Sequence, residues 1–322
     1  MTPARFDDLG ESGRARRLRP LVVAALRAWD FDVERVRLVT NGYNAIFRVD
    51  ASGGPFALRV NLPRRTDAEL RAELDWLDAL ARADAVRVPV PVPTAAGEPW
   101  TVAVAPGVPE PRRCVVFRWV PGRNLRADDD VAAFVRFGAA AAALHEHASR
   151  WRRPRGLRRI RSPFPYPEEP PVLFDQPMTP RARATYERAL AATERALARI
   201  ADERVIVVHQ DLHPANVRVR GDRLWVLDFD DCALATPPQD LGTSWFQMRM
   251  LGCRTAQLRG FRRGYEAVRA WPDDDLVAAF TAGAALTLAN GVYQDFDPDY
   301  RREAGAYAAR WARIAEAAMQ GR

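Results

Sequence analysis

The chain contains no lysine: all 48 of its basic residues are arginine. Its three cysteines, Cys114, Cys232 and Cys253, lie far apart and form neither a CxxC pair nor a disulfide framework. A reduced, cytoplasmic setting is therefore expected. No stretch reaches the ~18 uninterrupted apolar residues that suggest a membrane span. The opening segment, MTPARFDDLGESGRARR, lacks the apolar core of a secretory signal. The net charge of +7 raises the question of nucleic acid. Yet the arginines are spread through the chain and interleaved with acids, as on a solvated surface. Only Arg150 to Arg161 (RWRRPRGLRRIR) is dense enough to form a patch. Charge alone gives attraction without readout, so no specific nucleic-acid partner is expected. What is present is ordinary for a globular protein: 48% hydrophobic and 28% charged residues over 322 positions, enough for two lobes with buried cores.

The pattern changes once along the chain. Residues 20–30 (PLVVAALRAW) read as a short amphipathic helix. Val36–Val39, Ala45–Val49 and Phe56–Val60 are β-type runs, joined by the turn-rich segments Thr40–Asn44 and Ala51–Pro55. Thr66–Ala81 follows with Leu70, Leu74, Leu77 and Leu80 at helical spacing. Two more strands are expected near Thr101–Val104 and Cys114–Trp119. Pro121-Gly122 closes this sheet-rich part. Helix then dominates, at Val131–Ala148 and Pro180–Ala201, separated by the Pro- and Arg-rich stretch Ser149–Thr179. A loop of that length is usually functional or disordered. A hairpin pattern returns at Val205–Val208, Val217–Val219 and Leu224–Leu227. Residues 240–319 read as helix with breaks at Pro272 and Pro298. The expected fold class is α+β, in two lobes: 1–120, a small antiparallel sheet with one main helix, and 121–322, mostly helical.

The chemistry concentrates in His209-Gln210-Asp211-Leu212-His213-Pro214-Ala215-Asn216, followed by Asp228-Phe229-Asp230-Asp231. An aspartate and an asparagine five positions apart can occupy opposite ends of one tight loop. The carboxylate can then face a substrate hydroxyl while the amide oxygen reaches a metal ion. Phosphoryl transfer asks a protein mainly for positioning and charge neutralisation, and a second carboxylate, Asp228, can hold Mg²⁺ against phosphates. Taken singly, each piece is also ordinary turn chemistry. Both, however, are delivered by apolar runs, and carboxylates clustered at buried strand ends are costly without a cation or partner.

HQDLHPAN matches the H-x-D-x-x-x-x-N loop of the protein-kinase-like superfamily, with DFD standing where protein kinases have DFG. His213, the DFDD run and Pro237-Pro238-Gln239-Asp240-Leu241 resemble the aminoglycoside phosphotransferase family, nearest the branch of stress-response kinase A and type II homoserine kinases. The resemblance implies a two-lobed protein-kinase-like fold using ATP and Mg²⁺, with Asp211 as base and Asn216, Asp228 and Asp230 near the metal. It also implies a strand cation for the phosphates. Arg59, in Phe56-Ala57-Leu58-Arg59-Val60, takes the place of the usual lysine, and its planar fork is not equivalent to a point charge. Glu69 and Glu73 compete as its partner. Thr66-Asp67-Ala68-Glu69 has the form of a capping box, which commits Glu69 locally and favours Glu73. Val115–Gly122 resembles the hinge that presents backbone groups to adenine, through the Arg118 carbonyl and the Val120 amide; a strand ending at a Pro-Gly turn reads the same way.

Other features have plainer readings. His145 and His147 are two apart on a helix and point apart, so a metal site there is not expected. Cys232, a single cysteine after the acidic cluster, is expected to be buried rather than reactive. Asp240 is expected to cap a helix, as are acids at 273–275 and 295–299. Gln210 departs from the glycine common in the family's H-G-D. The acceptor is expected to be a hydroxyl, on a small molecule or, alternatively, on a protein serine or threonine. A non-catalytic nucleotide-binding module is the remaining alternative.

Overall fold

The computed structural model describes residues 6, 9–63, 65–152, 155–295 and 297–321. The chain divides into two compact units, Met1–Pro121 and Gly122–Arg322.

In the first unit, helix α1 (Glu11–Leu26) is followed by three antiparallel strands, β1 (Val33–Asn41), β2 (Ala45–Ala51) and β3 (Gly54–Val60). Helix α2 (Asp67–Ala83) comes next, then short strands β4 (Pro91–Val92) and β5 (Thr101–Ala103) and the longer β6 (Arg112–Arg118). The sheet order is β1-β2-β3-β6-β4, with β5 also on β6. Period-two alternation decides the faces. Phe47 and Val49 of β2, with Phe56, Leu58 and Val60 of β3, bury into one cluster with Leu21, Val22 and Ala25 of α1. The alternate residues Ala57 and Arg59 therefore point to the opposite face. α1 differs from the sequence expectation at both ends: it starts at Glu11, keeps Pro20 inside, and stops at Leu26. The apolar spacing Leu18, Leu21, Val22, Ala25 runs through the proline, and burial of that stripe outweighs its lost hydrogen bond.

The second unit opens with β7 (Arg123–Asn124) and two helices, α3 (Val131–Arg150) and α4 (Pro180–Arg199). Strands β8 (Ile206–Val208), β9 (Val217–Arg220), β10 (Arg223–Val226) and β11 (Ala233–Ala235) then lead to helices α5 (Pro237–Met250), α6 (Thr255–Glu266), α7 (Asp274–Val292) and α8 (Pro298–Met319). The expected hairpin is β9–β10 alone; β8 pairs with β11 and β9 also takes β7. The helical tail has a break not expected from the sequence, at Leu251–Arg254, where Gly252 adopts a left-handed φ of 85°. Asp273 and Asp297 cap α7 and α8.

The core here joins α4, α5, α7 and α8 through Tyr186, Phe246, Leu286 and Trp311. Helices α3 and α6 approach so closely that a Cβ on Gly264 would lie 1.9 Å from the Val135 carbonyl oxygen. Of the described helices, only α7 is long and apolar enough to cross a membrane, and 61% of that window is buried inside the protein, as in a core helix. The stretch 149–179 is largely irregular but tethered to α7. Asn290 accepts from the Val172 and Leu173 amides, and Thr287 donates to the Pro163 carbonyl. Within the basic run 150–161, residues 153 and 154 lie outside the described residues; Arg150 pairs with Glu146, and Arg159 donates to the Ala201 carbonyl.

Candidate active site

The strand β8 ends in a loop whose shape is fixed by its own side chains. His209 is fully buried. Its Nε2–H donates to the Leu227 carbonyl at 2.8 Å, and its Nδ1 accepts the Asp211 amide at 3.3 Å, which sets one neutral tautomer. Burial holds the imidazole below its usual pKa against the pull of Asp240 and Asp211. Gln210 follows in the left-handed region, φ 67°, with its amide donating to Asp240 Oδ1. A short 3₁₀ turn, Pro214–Asn216, brings Asn216 back onto Asp211: its Nδ2 donates to the Asp211 carbonyl at 2.9 Å and to the carboxylate Oδ2 at 2.7 Å. The Asn216 carbonyl accepts the Leu227 amide at 2.8 Å, tying the loop to the residue that precedes Asp228. Asp228 itself has a left-handed φ of 61° and an exposed side chain. Phe229 is buried against His209, with ring centroids 4.6 Å apart, and Asp230 is half-buried in the turn beyond.

Two donors therefore converge on the Asp211 carboxylate, Asn216 Nδ2 and Gln247 Nε2 at 3.2 Å, with His213 Nε2 close by at 3.3 Å. His213 uses its Nδ1 to accept the Ala215 amide, leaving the proton on Nε2. Because Asn216 commits its N–H groups to Asp211, its amide oxygen faces away from them, and no donor among the described residues takes it. An amide oxygen and neighbouring carboxylates are the ligands a hard cation prefers. Among the described residues no three His, Cys, Asp or Glu side chains gather into a cage, so an ion here would complete its shell with waters and a ligand's oxygens.

Behind the loop, Asp240 is 1% exposed and accepts both the Gln210 amide and His145 Nε2–H at 2.8 Å, while His145 Nδ1 accepts from the Tyr265 hydroxyl. Burial alone would raise the Asp240 carboxyl. The hydrogen bonds and the two imidazoles outweigh that, and the net shift is downward. Asp240 is thus a buried strut rather than a helix cap; Thr236 caps α5, in a box with Gln239. Sequence reasoning missed Gln247, whose only signal is its position seven residues after Asp240 on the same helix face.

The other residues expected at the site belong to the first unit. Arg59 and Glu73 form a two-pronged ion pair on the α2 side of the sheet, Nη1–Oε1 2.7 Å and Nη2–Oε2 2.8 Å, with side chains 4% and 0% exposed. Glu69 is taken by its capping box with Thr66. Arg65, not foreseen, also reaches Glu73, at 2.5 Å. Two arginines thus share the Glu73 carboxylate. At the end of β6, the Arg118 amide donates to the Val90 carbonyl and its guanidinium to the Gly53 carbonyl. The Val120 amide, just beyond the strand, meets no acceptor among the described residues.

Residues 35–280 match the model of the phosphotransferase enzyme family, described as such. The chain belongs to that family. The phosphotransferase is accordingly a kinase with the two-part fold, antiparallel sheet then mostly helix, that its solved relatives share. It is similar to the microcompartment-associated aminopropanol kinase, with 27% identity, coverage of 94% of this chain and 98% of that one, and a TM-score of 0.78. It is also similar to amicoumacin kinase in complex with AMP-PNP and Ca²⁺, at 19% identity, 97% and 96% coverage and a TM-score of 0.74. A choline/ethanolamine kinase family protein from Mesorhizobium loti is 16% identical, with 96% and 99% coverage and a TM-score of 0.60. No curated protein matches the sequence.

Proposed function

We propose that the chain transfers the γ-phosphoryl group of ATP, as its magnesium complex, to a hydroxyl of a small molecule, with Asp211 as the base. The reading is carried by one arrangement: a carboxylate held by two amide donors beside an imidazole, one donor being an asparagine whose amide oxygen is left for a cation. Asp211 takes the acceptor's proton as the acceptor oxygen bonds to the γ-phosphorus, and the bond to the β–γ bridging oxygen breaks, releasing ADP. The metal, when bound, neutralises charge on the transferring phosphates. Asn216 and Asp228 would hold it, with Asp230 in support, and the mix of amide and carboxylate oxygens suits Mg²⁺. Arg59, fixed by Glu73 with Arg65 beside it, would grip the α- and β-phosphates. The Arg118 carbonyl and Val120 amide would read adenine. Residues 1–120 then serve as the nucleotide lobe and 121–322 as the catalytic and acceptor lobe. The likeness to an aminopropanol kinase supports an alcohol acceptor. Three buried cysteines, none of them in a disulfide, suit the cytoplasm.

Asp211→Asn tests the base. Turnover of ATP with a metabolite extract as acceptor source should fall by roughly 10²- to 10⁴-fold, the range for loss of a general base, while fluorescent ATP analogues still bind in Mg²⁺. Undiminished turnover removes Asp211 from the mechanism. Label transferred from ATP to protein bands rather than to extract would replace the small-molecule acceptor with a protein one.

A further inference from the structure

The stretch 149–179 carries one short extended segment, 158–160, and it lies along β11. The Leu234 amide donates to the Arg158 carbonyl at 2.8 Å and the Ile160 amide to the Leu234 carbonyl at 3.0 Å, a parallel bridge centred on Arg159. Buried Leu157 starts the segment, Gln239 Nε2 donates to the Ile160 carbonyl at 3.4 Å, and Arg159 Nη2 donates to the Ala201 carbonyl at 3.2 Å. On its other edge β11 pairs with β8, which leads into the loop of Asp211. A strand of three residues thus has both edges occupied, which satisfies the Leu234 backbone groups that β8 does not take. Because β11 follows directly on the acidic turn 228–231, the segment 158–160 fastens that turn from the side away from β8.

The same segment brings one cation to the turn. The Arg158 guanidinium lies 4.3 Å over the Tyr166 ring, and its Nη2 is 3.9 Å from Asp231 Oδ1. That separation is too long for a hydrogen bond, so Arg158 acts on Asp231 as a charge, one held in place by the aromatic face beneath it. The two side chains are 24% and 34% exposed, so solvent screens the pair only in part. Tyr166 in turn lines one pocket together with Gln210, the residue before Asp211. Asp228, Asp230 and Asp231 place three carboxylates within four positions, and like charges so close repel. A bound metal would offset the charge of Asp228 and Asp230. Arg158 offsets that of Asp231, whether or not a metal is present.

We propose, on the phosphotransfer reading, that Arg158 is a positioning residue of the reaction. Held on Tyr166, its charge steadies Asp231 and keeps the turn 228–231 in place against the loop of Asp211. Arg158 touches no reacting atom. It works through the turn, since groups behind metal-binding side chains set where those side chains point.

Hydrogen–deuterium exchange of the metal-free full chain reads the turn through peptides covering 228–235. Arg158→Met keeps apolar bulk over Tyr166 and removes the charge. Exchange in those peptides should accelerate about two- to fivefold, the range for a partly exposed ion pair, with α7 and α8 unchanged. With saturating Mg²⁺, γ-labelled ATP and a metabolite extract, kcat should fall about three- to tenfold, near the lower bound for a group behind metal ligands, against a smaller change in KM for ATP. Arg158→Lys, which restores a cation, should recover more than half of both losses. Asp231→Asn removes the pair from its other side and leaves the 158–160 segment untouched. It should reproduce the local acceleration, and adding Arg158→Met to it should accelerate exchange little further. If Arg158→Met does not fold, the Asp231→Asn arm decides. Exchange at 228–235 no faster than in the parent chain, acceleration that adds in the double variant, an unchanged kcat in Arg158→Met, or no recovery with lysine overturns the proposal and leaves the kinase reading standing. Absence of any Asp211-dependent ATP turnover in the parent chain overturns both.

Discussion

Removing Glu73 should unfasten the sheet from α2. Its carboxylate is fully buried, bonded at both oxygens to Arg59, whose side chain is only 4% exposed, and shared with Arg65 at 12%. In Glu73→Ala, Arg65 can swing into water, but buried Arg59 loses the carboxylate that engages both its Nη atoms. Breaking a buried pair from one side costs about 3–5 kcal/mol. At 1.4 kcal/mol per decade this corresponds to a local opening equilibrium raised roughly 150- to 4,000-fold. Hydrogen–deuterium exchange of peptides covering β3 and α2 reads that quantity directly, without assuming that both units unfold together. A second variant completes the cycle. Arg59→Met with Glu73→Leu removes both charges and replaces them with apolar bulk, which avoids the desolvation of either ion. It should recover more than half of the lost protection, although it should abolish the phosphate grip. Exchange in Glu73→Ala accelerated less than about fivefold, corresponding to about 1 kcal/mol, would mean that the carboxylate does not hold Arg59. A double variant no better protected than the single one would mean that lost packing, and not stranded charge, is the cost.

Glycine-to-alanine substitutions should split in sign. At Gly264 the new Cβ would meet the Val135 backbone oxygen at 1.9 Å, so α3 and α6 must separate; denaturant midpoints should report a loss of about 1–3 kcal/mol or more. At Gly305, on the exposed face of α8 with only the Tyr293 hydroxyl 3.8 Å away, the same change should stabilise by about 0.5–1 kcal/mol. Stability should also fall in acid in two stages. His209 has a folded pKa below its ordinary 6.5, so the unfolded chain takes up a proton that the folded one refuses, and melting temperature should decline as pH drops below about 6.5. Asp240, held below its ordinary 3.8, adds stability that is lost as pH falls further, through that value and toward its folded pKa. His209→Gln should flatten the first stage; a first stage unchanged in that variant refutes the assignment.

Local patterns were legible wherever the physics is local. The alternation in β2 and β3, the Leu70–Leu80 stripe and the Thr66–Glu69 box each need only a few consecutive residues, and each appears as an element or cap. The five-residue interval from Asp211 to Asn216 likewise fixed a tight loop, because the asparagine side chain can return to the aspartate within a single turn. Groups that meet only through packing were not legible. The strand β8 pairs with β11, across a gap that contains the whole β9–β10 hairpin, and no turn signal encodes that choice. Arg65 joins Glu73 because α2 lies across the sheet face. Asp240 looked like a helix cap until the burial of His145 beside it made it a strut for Gln210. The pocket that Gln210 lines, too, is assembled from five separated segments. Sequence alone set the chemistry available, since backbone dihedrals and short-range spacing are properties of adjacent residues. Tertiary structure decided which charges are neutralised and which polar groups remain open to a ligand, since burial and pairing depend on residues distant in the chain.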